Sequence, residues 1–312
     1  MNPRLSRRTV LAATMSAAAL ALAACGGGSD ALTPATSSST SSTSAAADSI
    51  VVGSANFPEN VLLAQMYAAA LTAKGVKVTT KLSIGSRETY IPALKDGSID
   101  LLPEYNGALL SYFSKTPKAT DPQGVYDELK AALPKELTLL EQSSAEDKDT
   151  LTVTKETAAK YSLTSIADLA AKSADLTMGA GPEFKTRRAG LVGLKEVYGV
   201  TFKQFKPLDV GGPLPISALK GGQIDIANIF STDSAIVTNG FVTLEDPKNL
   251  FLAQNIVPVV TASKVTPTVT EALNALSAKL TTEVLTAELK KVQVDKQDPA
   301  AVADAWVKAN LG

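Results

Sequence analysis

From residue 49 onward, short β-branched runs alternate with longer stretches in which apolar residues recur every three or four positions. "SIVVGSANF" reads as a buried strand because Ile50, Val51 and Val52 run together and stop at Gly53. "PENVLLAQMYAAALTAKG" reads as a helix: Pro58 suits the first turn, Glu59 complements the dipole, and Gly75 ends it. "VKVTTKLSI" is the next strand, and "SRETYIPALKDG" the next helix, with Ser86 as its expected cap. "SIDLLPEY" is a strand that runs into a helix at "NGALLSYF". Strands alternating with helices predict parallel pairing, with helices on the faces of the sheet.

The second half repeats the plan. "DLTMGAGPEF" predicts a strand and loop, "KTRRAGLVGLKEVYG" a helix closed by Gly199, and "TFKQFKPLD" a strand. "FVTLED" and "NIVPVVTAS" read as later strands, and three apolar-periodic helices follow, the last opened by Asp298 and Pro299. One pair of segments is nearly a direct repeat. "IPALKDGSIDLLPEY" begins at Ile91 and "ISALKGGQIDIANIF" at Ile216, with Ile, Ala, Leu, Lys, Gly, Ile and Asp in the same order. Each predicts helix, tight turn and buried strand, and each ends on an aromatic residue, Tyr105 or Phe230. Ligands of open parallel sheets bind at the carboxyl ends of the strands. Two such edges facing one another make a clamshell with Tyr105 and Phe230 on opposite lips. Lys95 and Lys220 also match and read as solvated helix-end charges.

The N-terminus adds a location. Arg4, Arg7 and Arg8 precede an alanine-rich apolar run over residues 9–24, which predicts a secretion signal over residues 1–24. "LAAC" is a lipobox and makes Cys25 the expected lipidation site; "SRRTVL" also has a twin-arginine look. Residues 26–48 are rich in Gly, Ser, Thr and Ala without hydrophobic periodicity, as a flexible tether would be. Cys25 is the single cysteine, so no intrachain disulfide is available.

Composition then removes whole classes of chemistry. With 30 basic and 31 acidic side chains, and three of the basic ones in the leader, the body lacks the positive footprint that nucleic acid requires. The chain has no histidine, so the commonest general base and transition-metal ligand is missing. No phosphate loop or nucleophile elbow occurs. Neither a metal, a cofactor nor an enzymatic activity is expected. A degenerate carbohydrate-active enzyme would need a pair of acids that the sequence does not display.

Five blocks in register carry a resemblance: "VGSANFPEN", "IGSRETYIPALKDGSIDLLPEYNG", "GPEFKTRRAGLVGLKEVYG", "IANIFSTD" and "LEDPKNLFLAQNIVPVV". Together they resemble the osmoprotectant-type substrate-binding proteins of ABC importers, the glycine betaine, choline and carnitine class of ProX and OpuC type, with a particular likeness to actinobacterial members. The resemblance implies a two-lobed α/β type II periplasmic-binding fold, with a central, mostly parallel sheet in each lobe and a ligand cleft between lobes. Lobe 1 is expected to span residues 49–149 and 255–312, and lobe 2 residues 150–254, with the crossings near Asp149 and Gln254. The implied role is an extracytoplasmic, lipid-anchored, monomeric lipoprotein that hands a solute to the transmembrane subunits of an ABC permease.

The family's site combines a tyrosine cage for a quaternary ammonium with an arginine-containing polar group for a carboxylate. Position by position, the resemblance keeps Tyr105 in "PEYNG" and places the family arginine on Arg187. Phe230, Gln254 and Leu151 fall where family tyrosines stand, and Ala55 and Ala108 where polar donors stand. The candidate ligand-binding residues are Asn56, Tyr105, Asn106, Arg187, Phe230, Ser231, Thr232, Gln254 and Asn255. Glu104 is expected to point away from the aromatic face and brace a neighbour. Arg187 has a competing reading as the helix-surface partner of Glu183. A betaine-like compatible solute is the implied ligand. The incomplete cage leaves a neutral polyol or phenolic ligand as the alternative, and a receptor or scaffold lipoprotein as a further one.

Overall fold

The computed structural model describes residues 49–312; the expected leader, Cys25 and the tether lie outside the described residues. Among the described residues, ten strands form in chain order: β1 (Ile50–Gly53), β2 (Val78–Lys81), β3 (Leu101–Tyr105), β4 (Leu137–Leu139), β5 (Asp149–Val153), β6 (Thr177–Ala180), β7 (Gln204–Pro207), β8 (Ile226–Phe230), β9 (Val242–Thr243) and β10 (Ile256–Thr261). Helices α1 (Pro58–Ala73), α2 (Arg87–Lys95), α3 (Asn106–Phe113) and α4 (Pro122–Ala132) accompany the first strands. Shorter helices α5 (Lys155–Tyr161), α6 (Gly193–Tyr198), α7 (Pro213–Lys220) and α8 (Ala235–Thr238) lie in the middle of the chain. The chain closes with α9 (Pro267–Lys279), α10 (Thr282–Gln293) and α11 (Pro299–Asn310).

The strands assemble into two five-stranded sheets, in the orders β2-β1-β3-β10-β4 and β7-β6-β8-β5-β9. The orders are equivalent, with β3 and β8 in the centre, so the sequence repeat marks the middle strand of each lobe. The repeated aspartates explain part of its conservation of form. Asp100 accepts from the Val51 amide at 2.9 Å and Asp225 from the Thr177 amide at 2.8 Å, fixing the start of each central strand to its neighbour. The repeated isoleucines pack against glycine in both lobes. A Cβ on Gly53 would lie 2.6 Å from Ile99, and one on Gly179 2.6 Å from Ile224. Lys95 and Lys220 are exposed, as solvated helix ends are.

The two-lobed α/β plan with mostly parallel sheets stands: four strands of each five-stranded sheet run one way, and one strand, β10 or β5, runs against them and makes the sheet mixed. β1 pairs in parallel with β2 and β3, whereas β10 runs antiparallel to β3 and β4. The second sheet repeats this: β6 is parallel to β7 and β8, and β5 is antiparallel to β8 and β9. The cause is the double crossing. β1–β3 and β6–β8 run toward the gap between sheets, whereas β5 and β10 begin there and run away from it. Asp149, opposite Phe230, already belongs to the second sheet.

Both faces of each sheet are covered. α1, α9, α10 and α11 pack on one side of the first sheet through Leu62, Leu63, Leu273, Leu285 and Val302, and α2–α4 cover the other through Leu94, Leu109 and Leu129. Two similar clusters flank the second sheet, around Met178 and around Ile224. The continuous helix expected over "KTRRAGLVGLKEVYG" does not form, and only Gly193–Tyr198 is α-helical. Ala189 and Gly190 leave helical geometry where the chain folds back on the Pro182–Lys185 turn, so closely that a Cβ on Gly190 would lie 2.2 Å from the Phe184 carbonyl. Likewise "FVTLED" contributes only Val242–Thr243 as strand.

Candidate functional site

The carboxyl ends of β3 and β8 converge, bringing Tyr105 and Phe230 into one pocket. Phe57, in the loop before α1, stands between them, 5.9 Å from the Tyr105 ring and 5.2 Å from the Phe230 ring, centroid to centroid. Tyr90 and Phe184 add aromatic surface to the same walls, which also carry Arg87, Asp147, Asp149, Arg187 and Gln254. The enclosed space is about 50 Å³, room for a few waters. It shares Arg87, Ala108, Asp149, Arg187 and Ala189 with an outer chamber of about 580 Å³. Five aromatic groups therefore surround a small cavity, where the sequence had supplied two.

Of the residues singled out from sequence, Asn56, Tyr105, Arg187, Phe230 and Gln254 line this pocket. Ala55 and Ala108 line it too and bring no polar donor. Asn106 and Asn255 do not reach it. Asn106 is fully buried, its carbonyl oxygen accepting from the Gly107 and Asn255 amides and its Nδ2 donating to Gln142. Asn255 Nδ2 donates to the Ser143 carbonyl. Both pin β3 to the return crossing. Leu151 is buried in the second lobe's core, so the first crossing presents Asp149 to the pocket instead.

Ser231 and Thr232 also serve the closure of the lobes rather than the pocket wall. The Thr232 hydroxyl lies 2.5 Å from Glu59 Oε2 and 2.9 Å from Asp147 Oδ1. Ser231 Oγ lies 3.3 Å from the same Asp147 oxygen, and Glu59 Oε1 accepts from the Tyr105 phenol at 2.8 Å. One threonine hydroxyl has a single proton to donate. With acids on both sides of it, one carboxyl must be protonated and donate back. Burial pushes both carboxyls above the usual range; the Glu59 charge raises Asp147 further, whereas hydrogen bonds from Thr232, Tyr105 and Asp147 pull Glu59 part of the way back. Glu59 on α1 and Thr232 beyond β8 thus join the lobes at the floor of the site.

Glu104 faces away from the aromatic walls, as alternation predicts. It is fully buried and takes two hydrogen bonds from Arg87, at 2.7 and 2.8 Å, and one from the Tyr90 phenol at 2.7 Å. Its oxygen also accepts from the Tyr105 amide at 2.9 Å, so this brace fixes the start of the aromatic wall. Sequence reasoning missed Phe57, Arg87, Tyr90 and Asp147. "NFPEN" and "SRETY" placed the first three at the carboxyl ends of strands, which was the available signal.

Arg187 makes its main contact across the gap. Its Nε and Nη2 donate to Glu88 at 3.0 and 2.8 Å, whereas Glu183 on its own segment is 3.9 Å away. Arg188 Nε donates to the Lys115 carbonyl at 2.7 Å, a second bridge between the lobes. The expected cap at Ser86 is turned to the same purpose, since its hydroxyl donates to Glu88 rather than capping α2. Burial alone would raise the Glu88 carboxyl, but the Arg187 guanidinium and the Ser86 hydroxyl hold it at about 2. The clasp is therefore intact above the ordinary carboxylate range and is lost as pH falls toward 2. Its side chains are 25% and 44% exposed, so its worth is about 0.5–1 kcal/mol. Glu88→Gln is expected to shift the protein toward a more open form at neutral pH without unfolding it, read by small-angle scattering with circular dichroism as the control. A scattering curve indistinguishable from the parent at pH 7 would remove the clasp from the closing mechanism.

Comparisons with known proteins bear on the family and the fold. Residues 48–309 match the family model described as the substrate binding domain of ABC-type glycine betaine transport systems. The chain is 26% identical over 273 residues to the glycine betaine-binding protein YehZ of Escherichia coli K12, covering 83% of this chain and 90% of that protein. It is also 26% identical to the ergothioneine transport permease/ergothioneine binding protein EgtU of Helicobacter pylori, covering 83% of this chain but only 47% of that longer protein. The crystal structure of a glycine betaine/carnitine/choline ABC transporter superposes with a TM-score of 0.64 at 25% identity, over 83% of this chain and 98% of the other.

Proposed function

Because the chain belongs to the family of substrate-binding domains of ABC-type glycine betaine transport systems, we propose that its cleft captures a small quaternary-ammonium solute for import. Members of the family are solute-binding proteins of ABC importers, not enzymes, and they work with permease components. The observation that carries the ligand class is the convergence of Phe57, Tyr105 and Phe230 on a pocket that also presents Asp147 and Asp149. Aromatic faces attract an alkylated ammonium that offers no hydrogen-bond donor, and carboxylates reinforce the attraction.

The lobes, residues 49–148 with 255–312 and residues 149–254, act as jaws that close on the solute. Closure joins Glu88 to Arg187 and Glu59 to Thr232, and the permease takes the closed form. Tyr105, Phe230, Arg187, Gln254 and Asn56 remain the ligand-side residues from sequence, joined by Phe57. Asn106, Asn255, Ser231 and Thr232 are assigned to support and closure. A neutral polyol or phenolic ligand fits less well, because the Asn228 and Gln254 amide nitrogens that would donate to its oxygens already donate to Asp149. At the N-terminus, Cys25 carries the lipid and residues 26–48 tether a monomeric body on the outer face of the membrane. No helix among the described residues is long and apolar enough to cross a membrane.

Native mass spectrometry of the protein taken from its own membranes tests these points together. The expected spectrum is a monomer with two acyl chains on Cys25 and a small quaternary-ammonium compound that leaves on activation. Recovery of a polyol or phenol would favour the neutral-ligand reading. An empty cleft, with calorimetry silent toward quaternary ammonium compounds, would favour a receptor or scaffold.

A further inference from the structure

We infer that Asp149 makes this cleft selective for quaternary-ammonium ligands of net positive charge over zwitterions that share the same head group. The inference rests on the solute-binding reading above and narrows its ligand class.

Asp149 lines both the inner pocket and the outer chamber. Its two oxygens are held by neutral donors, Oδ1 by Asn228 Nδ2 at 3.0 Å and Oδ2 by Gln254 Nε2 at 3.1 Å. Among the described residues, none of the ion pairs within 4.0 Å includes it. The amides fix its direction without neutralising it; the cation whose charge it feels, the Arg87 guanidinium, is already committed to Glu104, so Asp149 is left to pair with a ligand cation.

The rest of the wall does not supply the opposite charge. Arg87 is committed to Glu104 by two hydrogen bonds, and Arg187 to Glu88 by two more, with Glu183 at 3.9 Å. Glu59 and Asp147 share a threonine hydroxyl that requires one proton between them, so the pair keeps one negative charge. Two guanidinium charges thus stand against those of Glu104, Glu88, Glu183, Asp149 and the acid pair. Ala55 and Ala108 offer no donor. Lys115 and Arg188 line the outer chamber and not the inner pocket. A carboxylate one carbon from the ammonium would have to enter the inner pocket with it. There it meets a net negative surface and guanidinium groups already engaged, whereas a neutral hydroxyl in its place meets no repulsion.

The test is calorimetry on the intact protein with choline, glycine betaine and tetramethylammonium, for the parent and for Asp149→Asn. The parent is expected to bind choline about tenfold or more tighter than glycine betaine, roughly the effect of one charge pair some 6 Å apart between surface and bulk-water screening. In Asp149→Asn, choline and tetramethylammonium should weaken by a similar factor, glycine betaine should hold or gain, and the gap should close. Should the variant not fold, tetramethylammonium on the unaltered protein decides, since it is expected to bind tighter than glycine betaine. Glycine betaine matching or exceeding both cations in the parent, or an unchanged choline-to-betaine ratio in the folded variant, overturns the inference and leaves the solute-binding reading standing. Silence toward all three ligands overturns both.

Discussion

Replacing Arg87 with alanine is expected to destabilise the folded body by about 3–5 kcal/mol, because it leaves a buried carboxylate without its partner. Arg87 is 7% exposed and Glu104 fully buried, and two hydrogen bonds of 2.7 and 2.8 Å join them. For a body of this size the loss corresponds to a fall in Tm of roughly 10 °C, read by thermal or urea unfolding. Arg87→Met combined with Glu104→Leu should recover much of the loss, since removing both charges also removes the desolvation cost of each. The single change should reach the site as well, because Glu104 also holds the Tyr90 phenol and the Tyr105 amide. A single-variant loss below about 1 kcal/mol, the range of exposed pairs, would show that Glu104 finds solvent or takes up a proton.

Phe57→Ala is expected to carry the largest effect on binding, about 30-fold weaker affinity for choline in titration calorimetry. The estimate follows from about 2 kcal/mol for a desolvated cation–π contact. Phe57 is the aromatic group common to both sides, standing 5.9 Å from Tyr105 and 5.2 Å from Phe230. Its removal opens the wall between the lobes and admits water to the ammonium position. Phe57→Tyr, which keeps the ring face, should stay within a few-fold of the parent. The side chain is half-buried, so the alanine variant should fold, and a near-parental melting curve is the control. A loss of less than threefold would move the ammonium site away from these rings.

The closed arrangement has a simple logic. Two of the polar contacts between lobes join side chain to side chain and are adjustable, Glu88 with Arg187 at the rim and Glu59 with Thr232 at the floor. Between them lie aromatic groups whose apolar faces gain most when water is excluded. Neither polar contact need be strong for a ligand to tip the balance, because a ligand shifts the jaws only by its differential affinity for the closed form.

Much of the plan was legible in the chain itself, and the reason is local. Strand runs, helix starts at Pro58 and Pro299, and stops at Gly75 and Gly199 depend on neighbours within a few residues. The repeat of Ile91 onward at Ile216 onward fixed the equivalence of the central strands, and with it the meeting of Tyr105 and Phe230. Which residues complete the site depends instead on partners far apart along the chain. Arg187 had Glu183 within reach and took Glu88, 99 residues away. Thr232 bonds Glu59 across a separation of 173 residues, and Asn106 and Asn255, amides beside the site in sequence, turn inward to tie β3 to the crossing. Phe57 became the centre of the aromatic wall only because the second lobe folds over it. Periodicity can say which face of an element is buried, but only the packed chain decides what that face meets.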